Sequence, residues 1–226
     1  MNDAPAENAA WGVAAASEPR WPASLAVLVA LILYVTLPQR LTLGPQWLAP
    51  VFELALLIPL SIVSPQRRSG EARWERGAAI ALIAIVNAAN LVSLVLLVHF
   101  LIAPGAAKAN GSELIISSIQ IWLTNVLVFA LWYWELDRGG PDERTAADHR
   151  APDFLFPQMV TPQCAPLRWT PGFVDYLFLS FTNATAFSPT DTMPLSAAAK
   201  VLMLIQAVAS LLTVALVAAR AVNILS

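Results

Sequence analysis

The chain has 226 residues, of which 58% are hydrophobic and only 12% are charged. Soluble domains carry about 25% charged residues, so this composition excludes an ordinary soluble domain and indicates a polytopic membrane protein. The net charge of −2 comes without a basic patch, and we therefore expect no nucleic-acid partner. The single cysteine, Cys164, excludes an intrachain disulfide, and the two histidines, His99 and His149, lie too far apart in sequence to suggest a metal site.

Apolar segments bounded by proline, glycine and arginine follow one another along most of the chain. Residues 1–20 are rich in alanine, proline and polar residues, which predicts a disordered N-terminal tail. Residues 21–135 then hold four apolar segments and a fifth ends the chain, each near or above the length of about 20 residues that crosses a bilayer. We predict an all-α polytopic bundle with five transmembrane helices, at residues 22–38, 46–64, 77–102, 113–135 and 196–225.

Glu53 is an ionisable residue inside the second predicted span, six residues after Trp47. Such a residue costs at least ~2.5 kcal/mol to insert, so it normally faces protein or water. Two interpretations stay open for Glu53. It is either a proton or cation site, or a residue that lies near the headgroups or bonds to a neighbouring helix.

Polar side chains repeat along one side of the third and fourth predicted spans. The residues concerned are Asn87, Asn90 and Ser93 in the third span, and Ser117, Gln120 and Thr124 in the fourth. Their spacing places each set on one helix face. Both interhelical hydrogen bonding and the lining of a polar path fit this pattern.

Arginines concentrate in two segments between the predicted spans, residues 65–76 and 136–171, with four in each. Cytoplasmic loops carry an excess of basic residues, so both segments are expected inside, together with the N-terminus. The second segment is polar and rich in proline without a periodic pattern, which predicts a long irregular loop. We expect this loop to lie over the mouth of the segment that follows it.

Residues 172–226 form the most informative part of the chain. Residues 173–187 read as an apolar helix with several hydroxyl groups that is too short to cross a bilayer. Turn-forming residues follow at 188–191, and Ser196 is a good N-cap for the final helix. A short helix, a polar turn and a full span together predict a re-entrant hairpin before the last transmembrane helix.

This hairpin resembles the pore module of potassium channels, in which a pore helix leads into Thr-Thr-Val-Gly-Tyr-Gly-Asp and an inner helix. The residues that fall on this filter frame are Thr185, Ala186, Phe187, Ser188, Pro189, Thr190 and Asp191. Ser188 and Thr190 replace both filter glycines, and Pro189 stands in the aromatic position. Glycine permits the positive φ that such a filter demands, and a β-branched residue resists it. The resemblance therefore implies a pore-like frame without potassium selectivity.

The final helix carries a stripe of polar residues on an otherwise apolar surface. Gln206, Ser210, Thr213 and Arg220 share one helix face. In a pore these residues would line the water path, and in the alternative they pack against the third and fourth spans. The charge distribution makes the hairpin enter from the cytoplasm, opposite to the orientation in potassium channels.

The layout also resembles an uncharacterised family of bacterial five-span membrane proteins. The shared features are Arg73-Trp74 before the third span, Gly139-Gly140 and Asp153-Phe154 after the fourth, and the C-terminal hairpin. This resemblance implies a multi-pass protein of the bacterial inner membrane and implies no activity.

Two functions fit these patterns. The first is an ion channel-like or transport protein without potassium selectivity, which would act as a homo-oligomer and, if pore-like, as a tetramer. The second is a non-conducting structural or interaction protein in which the hairpin is a packed plug. We expect no enzymatic activity and no cofactor, because no nucleophile motif, paired carboxylates or phosphate-binding loop is present. The lipid bilayer is the expected partner in either case.

Overall fold

A computed structural model describes residues 18–19, 21–42, 44–45, 47–63, 66–67, 73–102, 111–144, 150–165, 169–185 and 191–225. The fold is built almost entirely of helices. These are α1 (Trp21–Val35), α2 (Leu48–Val63), α3 (Arg73–Ile102), α4 (Gly111–Leu136), α5 (Pro141–Arg144), α6 (Pro157–Val160), α7 (Phe173–Thr185) and α8 (Ala197–Leu225). Single turns of 3-10 helix cover Gln39–Leu41, Asp137–Gly139 and Pro162–Cys164.

The described strands are two residues long and form two antiparallel pairs. Strand β1 (Glu18–Pro19) pairs with β2 (Gln66–Arg67), and β3 (Phe154–Leu155) pairs with β4 (Met193–Pro194). These short pairs join connecting segments to one another, and most residues of the hydrophobic core come from the helices.

Three described helices are long and apolar enough to cross a membrane: Trp74–Leu101, Gly111–Gly139 and Ala197–Ala219. Helix α1 is equally apolar but shorter, with 15 residues. The structure therefore confirms an all-α fold and supports a membrane protein, whereas five spans and the re-entrant hairpin remain predictions.

Helix α4 is the centre of the bundle and contacts α1, α3, α7 and α8. Near its C-terminal end it is buried on almost every side, from Val128 to Glu135. Side chains can be buried on every side of a helix only where other elements surround that helix. The position of α4 between four helices satisfies this requirement.

Contacts between the elements define two ends of the bundle. At the end called the loop end here, β1 pairs with β2, and Arg76 Nε of α3 lies 3.7 Å from Glu135 Oε1 of α4. Strands β3 and β4 also lie beyond this end of α4. The described parts of the two arginine-rich segments therefore share the loop end of the bundle.

Contacts at the other end, called the opposite end, join α1 to α4. Arg40 Nη2 lies 2.7 Å from Glu113 Oε2, and Gln120 Nε2 donates a 2.8 Å hydrogen bond to Thr36 Oγ1. The Arg40 guanidinium also sits 4.6 Å above the Phe100 ring of α3. These contacts hold the end of α1 beside the start of α4 and the end of α3.

The loop after α4 differs from its prediction, because it contains α5, α6 and β3 as well as buried residues. Arg138 and Arg144 are fully buried there, and Phe154 and Phe156 join the main hydrophobic cluster. Elements of two to four residues are too short to show a periodic hydrophobic pattern. Tertiary contacts rather than local propensity hold this loop in place.

Candidate functional site

Helix α7 begins at Phe173 and ends at Thr185, close to the predicted short helix at 173–187. The Gly172 N–H donates a 2.8 Å hydrogen bond to the Asp175 carboxylate, which satisfies a free backbone donor at the helix start. Partial burial raises the pKa of the Asp175 carboxyl, and the hydrogen bond from Gly172 opposes this shift. Asp175 thus helps to define where α7 begins.

Gln206 of α8 uses both ends of its amide group to hold α7. Its Oε1 accepts hydrogen bonds from Tyr133 Oη at 2.5 Å and from Asn183 Nδ2 at 2.8 Å. Its Nε2 donates to the carbonyl oxygen of Ser180 at 3.0 Å and to Ser180 Oγ at 2.7 Å. One buried side chain therefore links α8 to α4 and α7.

Further hydrogen bonds surround this amide. Ser180 Oγ donates to the Val126 carbonyl oxygen of α4 at 2.7 Å. Asn183 Nδ2 also donates to the Met203 carbonyl oxygen of α8 at 3.0 Å. Together with the Gln206 bonds, these contacts form the set that we call the hairpin network, which fastens the middle of α7 to both neighbours.

Ser210 holds the C-terminal end of α7. Its hydroxyl donates to the carbonyl oxygen of Ala184, one of the last carbonyls of the helix, and accepts a 2.8 Å bond from Trp122 Nε1. The Trp122 ring also packs edge-on against Phe181, with the ring centroids 5.7 Å apart. The end of α7 is thereby fixed beside the middle of α4 and α8.

The polar stripe of α8 is buried within the single chain. Gln206 and Ser210 are 0% exposed and Thr213 is 1% exposed. Gln206 and Ser210 bond to α7, and Thr213 Oγ1 donates to the Ala209 carbonyl oxygen of its own helix at 2.8 Å. The side chain of Arg220 lies outside the described residues. A pore-lining role for this stripe remains a prediction, and the observed contacts are those of helix packing.

The filter-like turn is described only at its two edges. Thr185 is the last residue of α7, and its Oγ1 donates to the Thr182 carbonyl oxygen at 2.9 Å. Asp191 is exposed at the start of the segment that leads into β4. Ala186, Phe187, Ser188, Pro189 and Thr190 lie outside the described residues.

A second polar cluster, called the anchor here, centres on Asp137 at the loop end of α4. Asp137 Oδ2 accepts a 2.6 Å hydrogen bond from Tyr176 Oη of α7. Its Oδ1 accepts bonds from the backbone N–H groups of Asp153 at 2.7 Å and Phe154 at 3.3 Å. This buried carboxylate joins α4, the start of α7 and the loop between them.

Arg138 continues the anchor in a left-handed backbone conformation with φ of 55°. Its N–H donates to Asp153 Oδ2 at 2.9 Å, and its Nε lies 3.8 Å from Asp137 Oδ2. Gly139 and Gly140 follow with φ of 87° and 104°, values that glycine adopts freely. The Gly-Gly pair therefore permits the sharp reversal that brings Asp153 back to Asp137.

Arg144 is the second buried arginine of the anchor. Its Nη1 donates to the carbonyl oxygens of Trp134 at 2.7 Å and Asp137 at 3.0 Å, at the end of α4 where such carbonyls lack helical partners. Its guanidinium also lies 5.3 Å from the ring centroid of Tyr176. Arg144 thus caps α4 while it contacts α7.

The anchor reaches both sides of the segment from α7 to α8. Tyr176 ties the α7 side to Asp137, and β3, which begins at Phe154, pairs with β4 just before α8. The Leu195 N–H donates to the Asp153 carbonyl oxygen at 2.8 Å. Both the entry to α7 and the exit toward α8 are therefore held at the loop end of α4.

Reasoning from sequence does not single out Asp137, Arg138, Arg144, Tyr133 and Tyr176 as site residues. Gly139-Gly140 and Asp153-Phe154 are the visible signals, and they flank the anchor. In the parts of the chain that are described, no group of three or more His, Cys, Asp or Glu side chains is arranged to hold a metal ion.

Models of protein families, curated proteins and solved structures were compared with this chain, and none of them matches it.

Proposed function

We propose that this protein is a channel-like or transport protein of the bacterial inner membrane, without potassium selectivity. In this proposal α4, α7 and α8 form a pore-module-like unit in which α7 and the return to α8 make a re-entrant hairpin. The observation that carries the proposal is the placement of α7, with its start at the anchor and its end beside the middle of two long apolar helices.

The distance along α8 at which α7 ends supports the re-entrant interpretation. Ala184 at the end of α7 contacts Ser210, which lies 13 residues into α8, or about 20 Å along its axis. Met193 nevertheless pairs with Leu155 at the loop end. Ala184 and Met193, on the two sides of the turn, therefore lie at different depths of the bundle, which supports a return of the chain to the end at which α7 entered. Irregular backbone at membrane depth survives only where protein covers it or where it lines a water-filled cavity.

The polarity of α7 favours cations at the tip of the hairpin. The C-terminal end of a helix carries a partial negative charge, and α7 directs this end into the bundle. Exposed Asp191 adds a carboxylate on the return side of the hairpin, two residues before the Met193 pairing at the loop end. In this proposal several copies assemble around the tips, and the α8 stripe positions each hairpin.

A second function, a non-conducting protein with the hairpin as a plug, is favoured by a different observation. Gln206, Ser210 and Thr213 of α8 form hydrogen bonds within the chain, and the outward face of the described middle part of α8 is largely apolar. The exposed apolar residues are Val201, Leu204, Ile205, Val208, Leu211, Leu212 and Val214. Such a surface suits lipid or a packed partner better than a column of water.

Flux through the purified protein in liposomes separates the two functions. We expect cation flux above that of empty liposomes, with potassium and sodium passing at rates that differ less than about tenfold, because Ser188, Pro189 and Thr190 replace the filter residues. Ion-selective electrodes measure both rates. Absence of flux supports the plug, and steep potassium selectivity contradicts both proposals.

Orientation in the membrane follows from the loop end. The two arginine-rich segments share this end, so the positive-inside rule assigns it to the cytoplasm and makes the hairpin enter from there. Cys164 is the only cysteine of the chain, and it is free and exposed in the loop between α4 and α7. It therefore reports the side on which this loop lies.

An impermeant maleimide is expected to leave Cys164 unlabelled in cells whose outer envelope alone is permeable, and to label it once the inner membrane is opened. The matched control is Gln39→Cys in a Cys164→Ser background, because Gln39 is exposed at the opposite end. This control should label without opening the inner membrane. The reverse pattern would place the loop end outside and give the hairpin the potassium-channel orientation.

A further inference from the structure

Glu53 is the charged residue that α2 turns toward the interior of the bundle. It is 1% exposed, whereas its neighbours Val51, Phe52 and Ala55 are exposed. Helix α2 packs against α3 and α1, so the inward face that carries Glu53 lies against these two helices.

Ala49 lies one turn before Glu53 on the inward side of α2. It packs with the hydrophobic cluster that contains Leu94 and Leu97 of α3. Ser93, next to Leu94, is fully buried, and its Oγ has no hydrogen-bond partner among the described residues. Glu53 Oε2 and Ser93 Oγ are thus both buried oxygen atoms without a hydrogen-bond partner among the described residues.

No cation among the described side chains on these two helices is available to Glu53. Helix α1 contains no charged residue. The titratable side chains described on α3 are Glu75, Arg76 and His99. Glu75 and Arg76 lie at the loop end, where Arg76 approaches Glu135, and His99 is exposed on the side of α3 that faces α8.

The Glu53 carboxyl is also short of hydrogen bonds. Its Oε2 is fully buried and has no partner within the described part of the chain. Burying an ionised carboxylate without a counter-charge costs far more than burying the neutral acid, so the group takes up a proton instead. A membrane-embedded carboxyl in this position is therefore suited to take up and release a proton.

We propose that Glu53 is a proton-binding site within the bundle, separate from the hairpin and the anchor. The ligand is a proton, which the carboxyl holds at neutral pH and exchanges with the surroundings. This site does not depend on the proposed conduction, because it rests on α1, α2 and α3 rather than on α4, α7 and α8.

The test is modification by dicyclohexylcarbodiimide, an apolar reagent that reacts with protonated carboxyl groups in apolar surroundings. The carboxyl O–H adds across one C=N bond of the reagent, so the labelled peptide gains the whole mass of the reagent. We expect mass spectrometry of the purified protein to find the adduct on Glu53 at neutral pH and to find less of it as the pH is raised. Glu113, which is partly exposed and paired with Arg40, is the internal control and should stay unmodified.

A neutral mimic provides the second measurement. Glu53→Gln should abolish the adduct and leave the midpoint of unfolding in detergent unchanged, because the amide has the shape of the protonated acid. An adduct that forms on Glu53 only under acidic conditions would overturn the proposal, since the carboxyl would be charged at neutral pH. Absence of the adduct at every pH would overturn it as well, and so would a large loss of stability in Glu53→Gln.

Discussion

Asp137→Asn is expected to lower the free energy of unfolding by about 3–5 kcal/mol, the cost of removing one partner from a buried ion pair. Asp137 accepts hydrogen bonds from Tyr176 and from two backbone N–H groups, and it lies beside the buried Arg138. Asparagine keeps the size of the side chain but replaces one acceptor with a donor, which then faces other donors. The negative charge next to the Arg138 guanidinium is also lost.

Sodium dodecyl sulfate titration of the purified protein measures this loss, and limited proteolysis between α4 and α7 reports release of the loop. Asp191→Asn is the matched control, because it makes the same chemical change at an exposed carboxylate, between α7 and α8. We expect the control to stay within about 0.5 kcal/mol of the parent protein, as surface substitutions usually do. Equal effects of the two substitutions would show that Asp137 does not hold the hairpin.

Gln206→Ala is expected to lower the free energy of unfolding by about 2–4 kcal/mol, because it removes a hydrogen-bond partner from buried polar groups of α4 and α7. Tyr133 Oη loses its 2.5 Å acceptor, and Ser180 loses the donor to its carbonyl oxygen. Asn183 loses one of its acceptors, although its bond to Met203 remains. Helix α8 itself should remain helical, because alanine has the highest helix propensity.

The matched control for this substitution is Leu204→Ala, on the exposed side of the same helix. Both substitutions shorten a side chain of α8, but only Gln206→Ala disturbs the hairpin network. The midpoint of unfolding in the detergent titration should fall clearly for Gln206→Ala and little for Leu204→Ala. A larger loss of stability for Leu204→Ala than for Gln206→Ala would mean that the outward face of α8, rather than the hairpin network, stabilises this helix.

Ion flux through the same two variants distinguishes the proposed functions. If the hairpin forms part of a pathway, releasing it by Asp137→Asn or Gln206→Ala should reduce flux or alter its selectivity. If the hairpin is a plug, the parent protein should be silent and the released variants should leak. Leu204→Ala, on the outward face of α8, should leave the core of the unit intact and behave as the parent protein does.

Local signals in the sequence are enough to predict several elements. The sequence predicts a short helix at 173–187, and the structure has it at Phe173–Thr185. It also predicts that Ser196 caps the final helix, and Ser196 Oγ accepts a 3.1 Å hydrogen bond from the Ala199 N–H. Apolar run length and capping chemistry act over a few neighbouring residues, so both can be read from the chain without knowledge of its partners.

The partners of each polar residue were decided only by the tertiary structure. The pattern of Gln206 and Ser210 predicts a polar face, but a face that meets water and a face that meets α7 have the same spacing. Asp137 and Tyr176 are 39 positions apart in sequence, and nothing local marks them as partners. Arg138 and Arg144 have the sequence context of loop charges, yet they are buried because the loop folds back over the end of α4. Helical periodicity determines the direction of a side chain, whereas the packing of distant segments determines what it meets.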